Sequence, residues 1–458
     1  MRTELGFRAK RLRKSHKVRL FSRLRAASLK CCCIVAFALS VQRLKTEREN
    51  LSRNDTVIDT VIQRLVHAAL EPWLETGVSI SRTSVDAAFN VNDEQDAACF
   101  ILQIIDGQIF TYGDQDQRAV GQIWNPGRLF RTRRQNIILL LRAAHQRFGL
   151  PNLEAAFCLH DCVVSQLDKS SRNYFTPRYQ KIPDPVPAFT VVSCIDSMNI
   201  PFPTWDYATG FFPKWERKLK SLKLYASKKH WQTRQRKAVF RGGQRSCTLY
   251  PHVGQRTNGT AYYRVTESDA ENAKKCGRNA LIYQALTSEH HDLFDVSLTD
   301  GIDPSVFNHS LLRVPNVPLI LSKEEQEDYR YQILAEGECQ WANRLRDALF
   351  SGSAIIMQDN ECVEYYGLGL RPWEHYIPVD YWFTNLTDAV KWGEKNEQLV
   401  QEMIHRKHEY ASHALHPENV IRYTYLLMKT YAGLLNFDVT LRAGAVKVPR
   451  HIQLDPAP

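Results

Sequence analysis

Apolar positions along the chain repeat with two different periods. Between residues 46 and 75, Val57, Ile58, Val61, Ile62, Leu65, Val66 and Leu70 recur at helical spacing, which predicts an amphipathic helix. "ACFILQIIDGQIFTYG" (98–113) holds two apolar runs joined at Asp106-Gly107, a pair that favours the type I′ turn of a β-hairpin. "RTRRQNIILLLRAAHQRFG" (131–149) returns to helical spacing and stops at Gly149, with Pro151 beyond it. "LEAAFCLHD" (153–161) then reads as a short buried strand ending on an acid. Strands and helices in alternation predict an α/β domain.

A proline-rich crossing follows, "KIPDPVPAFTVVSC" (181–194) and "NIPFPTWDY" (199–207), with a strand at Phe189–Cys194. Residues 215–238 read as a basic helical connector containing Trp215 and Trp231. "KAVFRGG" (237–243) opens a second alternating region: a helix at 268–287, a strand near 293–298, a helix at 339–350, the strand "SAIIMQD" (353–359) and a helix at 417–436. The expected organisation is a tail at 1–45, a first α/β lobe at 46–214, a second at 215–437 and a C-terminal tail at 438–458. Two α/β lobes joined by a proline-rich crossing place a ligand in the cleft between them.

Charge alters the picture at one end only. The chain has 458 residues and a net charge of +11, but residues 1–30 hold eleven Lys/Arg and one acid, Glu4. The body is close to neutral, and no nucleic-acid-binding module follows the basic tail, so no nucleic-acid partner is expected. "CCCIVAFALSV" (31–41) is an apolar run of 11 residues. Three readings of the tail stand: an uncleaved signal-anchor lengthened back to Ala26, an Arg-rich organellar transit peptide, or a basic tail with a short buried helix. Beyond Cys31–Cys33, eight cysteines remain, and lumenal disulfides and buried free thiols both fit them. Five N-x-S/T sequons, at Asn50, Asn54, Asn258, Asn308 and Asn385, lean toward a lumenal body.

Several residues could carry chemistry. Arg241 ends a short apolar strand and precedes Gly242-Gly243, where the backbone could approach a phosphate. Arg344 lies in a helix that feeds into Ser351-Gly352-Ser353 and the next strand. Asp161 stands at a strand's carboxyl end, either as a functional carboxylate or as a helix N-cap. "GLGLRPWEHYIPVD" (367–380) sets Trp373, His375 and Tyr376 among glycines and prolines, as cleft wall or as core packing. Cys158-Leu-His160-Asp-Cys162 has no second ligand cluster at zinc spacing, so no metal is expected.

The order of these segments resembles glycosyltransferase family 90, which includes capsule-associated xylosyltransferases and Rumi-type protein O-glucosyltransferases. "Ala238-Val-Phe-Arg241-Gly242", "Trp341-Ala-Asn-Arg344-Leu" with "Leu349-Phe-Ser-Gly-Ser353", and "Glu364-Tyr-Tyr366" with "Leu370-Arg-Pro-Trp373-Glu-His375-Tyr-Ile-Pro378-Val" are similar to that family's blocks. The resemblance runs from about Leu153 to Phe437. It implies a GT-B fold, two Rossmann-like lobes with a cleft between them. It also implies inverting, metal-independent transfer of glucose or xylose from a UDP-sugar to a hydroxyl of a glycan or of protein Ser/Thr. The UDP-sugar is then a substrate, and no cofactor is expected.

Carried onto this chain, the resemblance makes Asp161 the catalytic base. It puts Arg241, Gly242, Arg344, Ser351, Gly352, Ser353 and Glu364 on the donor, and Trp341, Trp373 and His375 on the cleft wall. Gly243 stands where many relatives have serine, so the expected hydroxyl contact is either lost or moved to Ser246. The resemblance favours the signal-anchor reading: a single-pass Golgi or ER membrane protein, held by its N-terminal segment, with a lumenal catalytic body. The alternative location is a soluble secretory or organellar one. The competing function is a catalytically degenerate, transferase-like lumenal binding protein.

Overall fold

A computed structural model of the chain describes residues 54–90, 99–113, 126–159, 186–194, 198–203, 212–243, 247–248, 262–263, 277–299, 318–336, 343–359 and 362–449. The basic tail, the apolar run 26–41, Asp161, Ser246 and Trp341 lie outside them, as do the sequons at Asn50, Asn258 and Asn308. The chain divides into two units, Met1–Thr60 and Val61–Pro458, and every sheet belongs to the second. Among the described residues, no helix is long and apolar enough to cross a membrane.

In chain order, helices α1 (Asn54–Thr76) and α2 (Arg82–Asn90) precede the hairpin β1 (Cys99–Ile105) and β2 (Gln108–Tyr112). Next come α3 (Pro126–Phe148), β3 (Leu153–Cys158), β4 (Ala188–Thr190), β5 (Val192–Cys194) and β6 (Ile200–Pro201). Then follow α4 (Phe212–Lys228), β7 (Gln235–Gly242), a short hairpin of β8 (Cys247–Thr248) and β9 (Tyr262–Tyr263), α5 (Gly277–Thr287), β10 (Phe294–Leu298) and β11 (Tyr329–Leu334). The last stretch holds α6 (Asn343–Ala348), β12 (Ala354–Gln358), β13 (Cys362–Glu364), β14 (Ile377–Val379), α7 (Leu386–Lys395), α8 (Glu397–Ala414), α9 (Pro417–Ala432) and β15 (Val446–Lys447).

The first sheet runs β15-β2-β1-β3-β4-β6. Its hairpin turns as expected: Asp106 and Gly107 both have positive φ, 49° and 71°, which a type I′ turn requires. Gly149 ends α3 with φ +72°, and its N–H bonds back to the His145 carbonyl. β3 is buried at every position and runs parallel to β4. Cys99 and Cys158, directly opposed on β1 and β3, form a disulfide, and Cys362 is also disulfide-bonded.

The second sheet runs β10-β7-β11-β12-β14, and every pairing in it is parallel. β10, β11 and β12 are buried at every position, as a sheet covered on both sides demands. Numbered within the sheet, the order is 2-1-3-4-5. The chain therefore reverses direction across the sheet at β7, and the switch point lies between β7 and β11. β11 was not foreseen from the sequence. The expected strands near 293–298 and at 353–359 match β10 and β12, and the helix expected at 268–287 is described from Gly277.

Besides the chain crossing through α4, a strand pair and a returning helix tie the sheets together among the described residues. β5, two residues beyond the end of β4, pairs antiparallel with β13, four residues beyond the end of β12. This ribbon fastens the carboxyl side of one sheet to the carboxyl side of the other. At the far end of the chain, α9 packs against α3. Tyr431 on α9 sits edge-on to Phe189 of β4 (4.8 Å) and donates to the Glu154 carbonyl. Residues beyond it cross to β2, where Val446 pairs with Thr111. Arg442 bridges the buried Glu154 carboxylate and Asp86, and locks this return in place.

Candidate active site

Open parallel sheets bind ligands outside their carboxyl ends at the switch point, here the ends of β7 and β11. Side chains alternate along β7, so Phe240 and Gly242 share one face and Arg241 takes the other.

Arg241 is consumed by the sheet. Its Nε donates to the Pro318 carbonyl (2.7 Å), Nη1 to the carbonyls of Phe240 (2.9 Å) and Asp295 (2.8 Å), and Nη2 to Asp295 Oδ1 (2.6 Å). The other Asp295 oxygen accepts from the Tyr329 hydroxyl, whose pKa is raised by burial and by that bond. The family resemblance implies a diphosphate as the partner of this guanidinium. The structure instead gives it a carboxylate and three carbonyls.

Arg344 occupies the opposite face. Its guanidinium carbon lies 5.5 Å from the Phe240 ring centre, a cation–π arrangement. A Cβ on Gly242 would stand 2.8 Å from Arg344 Nη2 and 2.8 Å from the tip of Phe240. Gly242 does not have a positive φ, so the position needs glycine for space and not for backbone freedom. Together, Phe240 and Gly242 form the seat of the arginine at the end of β7.

Arg278, in the first turn of α5, spans the switch point. Its Nε donates to the Glu336 carbonyl (3.0 Å) beyond β11, and its Nη1 to the Gly243 carbonyl beyond β7. The Thr299 N–H, just past β10, donates to Gly242 O (3.0 Å). The Glu336 backbone N–H donates to Gln358 Oε1 (2.7 Å), and the Glu336 carboxylate accepts from the Tyr381 hydroxyl. Gln358 in turn donates to the Tyr381 carbonyl (2.8 Å). Arg278, Asn279, Glu336, Gln358 and Tyr381 were not foreseen. One signal was available: Glu336 follows the apolar run "ILA", and polar groups just beyond a strand's carboxyl end are placed where open α/β sheets bind ligands.

Other expected donor residues sit elsewhere. Ser351, Gly352 and Ser353 precede the amino end of β12, a strand's length of about 16 Å from the carboxyl edge. They form a closed hub. Ser351 O accepts from Lys407 Nζ (2.7 Å) and from the His408 ring (2.7 Å). The Gly352 N–H donates to Glu327 (2.9 Å), which also pairs with Arg234 (2.8 Å), and Ser353 Oγ donates to the Tyr329 carbonyl (2.7 Å). A side chain at Gly352 would collide with the Arg234 guanidinium. Burial lowers the pKa of Lys407 to about 7 and that of His408 to about 3.

The loop before β14 lies at the same amino edge. Trp373 is 41% exposed, has φ +64°, and packs against Trp392 at 4.8 Å. His375 is buried beside Tyr410, accepts the Arg371 N–H at Nδ1 (2.9 Å), and is held neutral by burial with a pKa of about 3. Neither residue meets Gly242 or Arg344 at the carboxyl edge. Their positions follow from connectivity, because the chain must return to the amino edge before a parallel β14 can start. Glu364 is buried on the ribbon and accepts from the Tyr366 hydroxyl (2.9 Å). Asp161 follows the end of β3 by three residues, and Arg133 pins the Leu159 carbonyl just before it.

Residues 60–455 match the model of Glycosyl transferase family 90. The chain belongs to glycosyl transferase family 90. Human "Protein O-glucosyltransferase 3" is 26% identical over 122 residues, which cover 27% of this chain and 24% of that protein. Mouse "Protein O-glucosyltransferase 1" is 24% identical over 285 residues, covering 61% of this chain and 66% of that protein. The Aedes aegypti "O-glucosyltransferase rumi homolog" is 21% identical over 276 residues, 57% and 60% of the two chains. The match thus spans about a quarter of the first relative and about two thirds of the second. The family match takes in both sheets, the ribbon between them and the returning α9.

Proposed function

We propose that this family 90 chain is an inverting glycosyltransferase. It moves glucose or xylose from a UDP-sugar to a hydroxyl of a glycan or protein acceptor, without a metal ion. The observation that carries the reading is Arg344, seated by Phe240 and Gly242 at the switch point of the parallel sheet. In this reading the two sheets are the cores of two GT-B lobes, and the β5–β13 ribbon brings their carboxyl edges to one cleft. The family membership and the O-glucosyltransferase relatives support glucose as the first donor to test.

The chemistry follows from charge. The acceptor oxygen attacks the anomeric carbon as the bond from that carbon to the UDP oxygen breaks. The acceptor proton passes to Asp161, and UDP leaves with the bonding electron pair. Arg344 meets the charge that develops on the diphosphate, helped by the amino end of α5. The Cys99–Cys158 disulfide supports a lumenal, secretory location for the body.

The test is UDP release by the full chain from UDP-glucose and from UDP-xylose, in excess chelator, with Arg344→Ala and Asp161→Asn alongside. Release from one donor, lost in Arg344→Ala, is expected. Asp161→Asn is expected to bind the donor and fail to transfer once an acceptor is supplied. No release and no UDP binding by the wild type would overturn the reading in favour of a degenerate binding protein.

A further inference from the structure

We infer that Asn279 reads a hydroxyl of the transferred sugar, an inference that rests on the donor site proposed above. Asn279 lies in the first turn of α5 and is 2% exposed. It shares a helix face with Ile282, Tyr283 and Leu286, which pack into the core against β7 and β10. Asn279 therefore tops that apolar stripe on the inner side of α5, at the carboxyl edge. Its neighbour Arg278 holds the Gly243 and Glu336 carbonyls there.

Among the described residues, neither Oδ1 nor Nδ2 of Asn279 has a hydrogen-bond partner. Other buried amides of the same sheet are paired: Gln332 bonds Ser353, and Gln358 bonds both Glu336 and Tyr381. A buried carboxamide with both ends unused is disfavoured in a folded protein, and it points to a partner that arrives from outside.

The partner's chemistry follows from the amide, which donates at nitrogen and accepts at oxygen. A phosphate only accepts, so it would leave the Asn279 carbonyl unpaired beside an anion. The diphosphate already has a cation in Arg344. A hydroxyl donates and accepts, and it satisfies both ends of the amide. The imide edge of uracil offers the same pair of groups, so the experiment must separate sugar from nucleotide.

Calorimetric titration of UDP, UDP-glucose and UDP-xylose into the wild type and Asn279→Leu, with thermal melts of both, makes that separation. Asn279→Leu keeps the size of the side chain and removes the amide. Asn279→Ala, carried alongside, keeps the readout if leucine does not fit. The expected variant melts no lower than the wild type, binds UDP equally well, and loses about tenfold in affinity for the UDP-sugar. Unchanged UDP-sugar affinity would overturn the inference, and so would a lower melt with unchanged affinity, which marks a structural water partner. Equal weakening of UDP alone would assign the amide to the nucleotide and overturn the sugar. If the wild type binds none of the three, the donor reading fails and this inference falls with it.

Discussion

The two edges of the second sheet differ in one buried polar group. At the amino edge, Arg234, Glu327, Ser351, Gly352, Ser353, Lys407 and His408 bond to one another and to nearby carbonyls. At the carboxyl edge, Arg278, Glu336, Gln358 and Tyr381 are bonded in the same way, but a glycine makes room for Arg344, and the Asn279 amide has no partner among the described residues. Both edges hold a glycine pressed by an arginine, and both look equally functional in the sequence. The difference is the Asn279 amide, unpartnered among the described residues. A buried polar group whose bonds are all met inside the protein serves the fold, and one whose bonds are not met is available to a ligand.

The sharpest way to break this comparison is to remove one arginine from each edge. Arg344→Ala is expected to cost at least about 100-fold in UDP release with the Tm nearly unchanged, since it removes a cation that stabilises the leaving group. Arg234→Ala strands the buried Glu327 carboxylate and should cost about 3–5 kcal/mol of stability, while whatever remains folded keeps its KM for the donor. Chemical denaturation and steady-state kinetics on both variants check this. A large stability loss in Arg344→Ala would erase the distinction between the edges.

The glycines sharpen it further. Gly242→Ala is expected to displace the Arg344 guanidinium and cost about tenfold in rate, and to cost little more when it is added to Arg344→Ala. If the two effects add, the ligand itself contacts Gly242. Gly352→Ala presses on Arg234 and on the Ala226 carbonyl and should instead lower stability, by about 1–3 kcal/mol.

Lys407 gives the amino edge a pH signature. Burial lowers its pKa from an ordinary 10.5 to about 7, so the unfolded chain holds the extra proton between those values. Stability should climb with pH from 7 to 10.5, by up to about 1.4 kcal/mol per unit, and fall again on return to 7. Lys407→Met, which leaves Arg234, Glu327 and His408 in place, is expected to flatten that slope in denaturation curves across the window. The smallest effect is reserved for Trp373. Trp373→Gly relieves a left-handed backbone and loses the packing on Trp392, so the Tm should move by a few degrees at most and the donor KM not at all. A raised KM would return Trp373 to the cleft.

Much of the fold was legible wherever one residue type had one physical use. Asp106-Gly107 could only turn, and Gly149 before Pro151 could only stop a helix. β11 was hidden because "YRYQIL" buries Arg330 and Gln332 against Glu394, Glu397 and Ser353, none of which is near it in sequence. The site was half legible for a related reason. Sequence order brought Gly242 and Arg344 forward, but it does not record which edge of a sheet a loop belongs to, so Ser351–Ser353 and the Trp373 loop were assigned with them. Asn279 gave no signal at all, because a missing partner exists only in three dimensions.

Amide hydrogen exchange of the full chain with and without UDP tests the central claim most directly, because it reads both edges at once. The account predicts added protection at 240–243, 277–280 and 334–336, the carboxyl ends of β7 and β11 and the first turn of α5, and none at 351–353 or 371–376. Protection at the amino-edge segments, with the carboxyl edge unchanged, would contradict it.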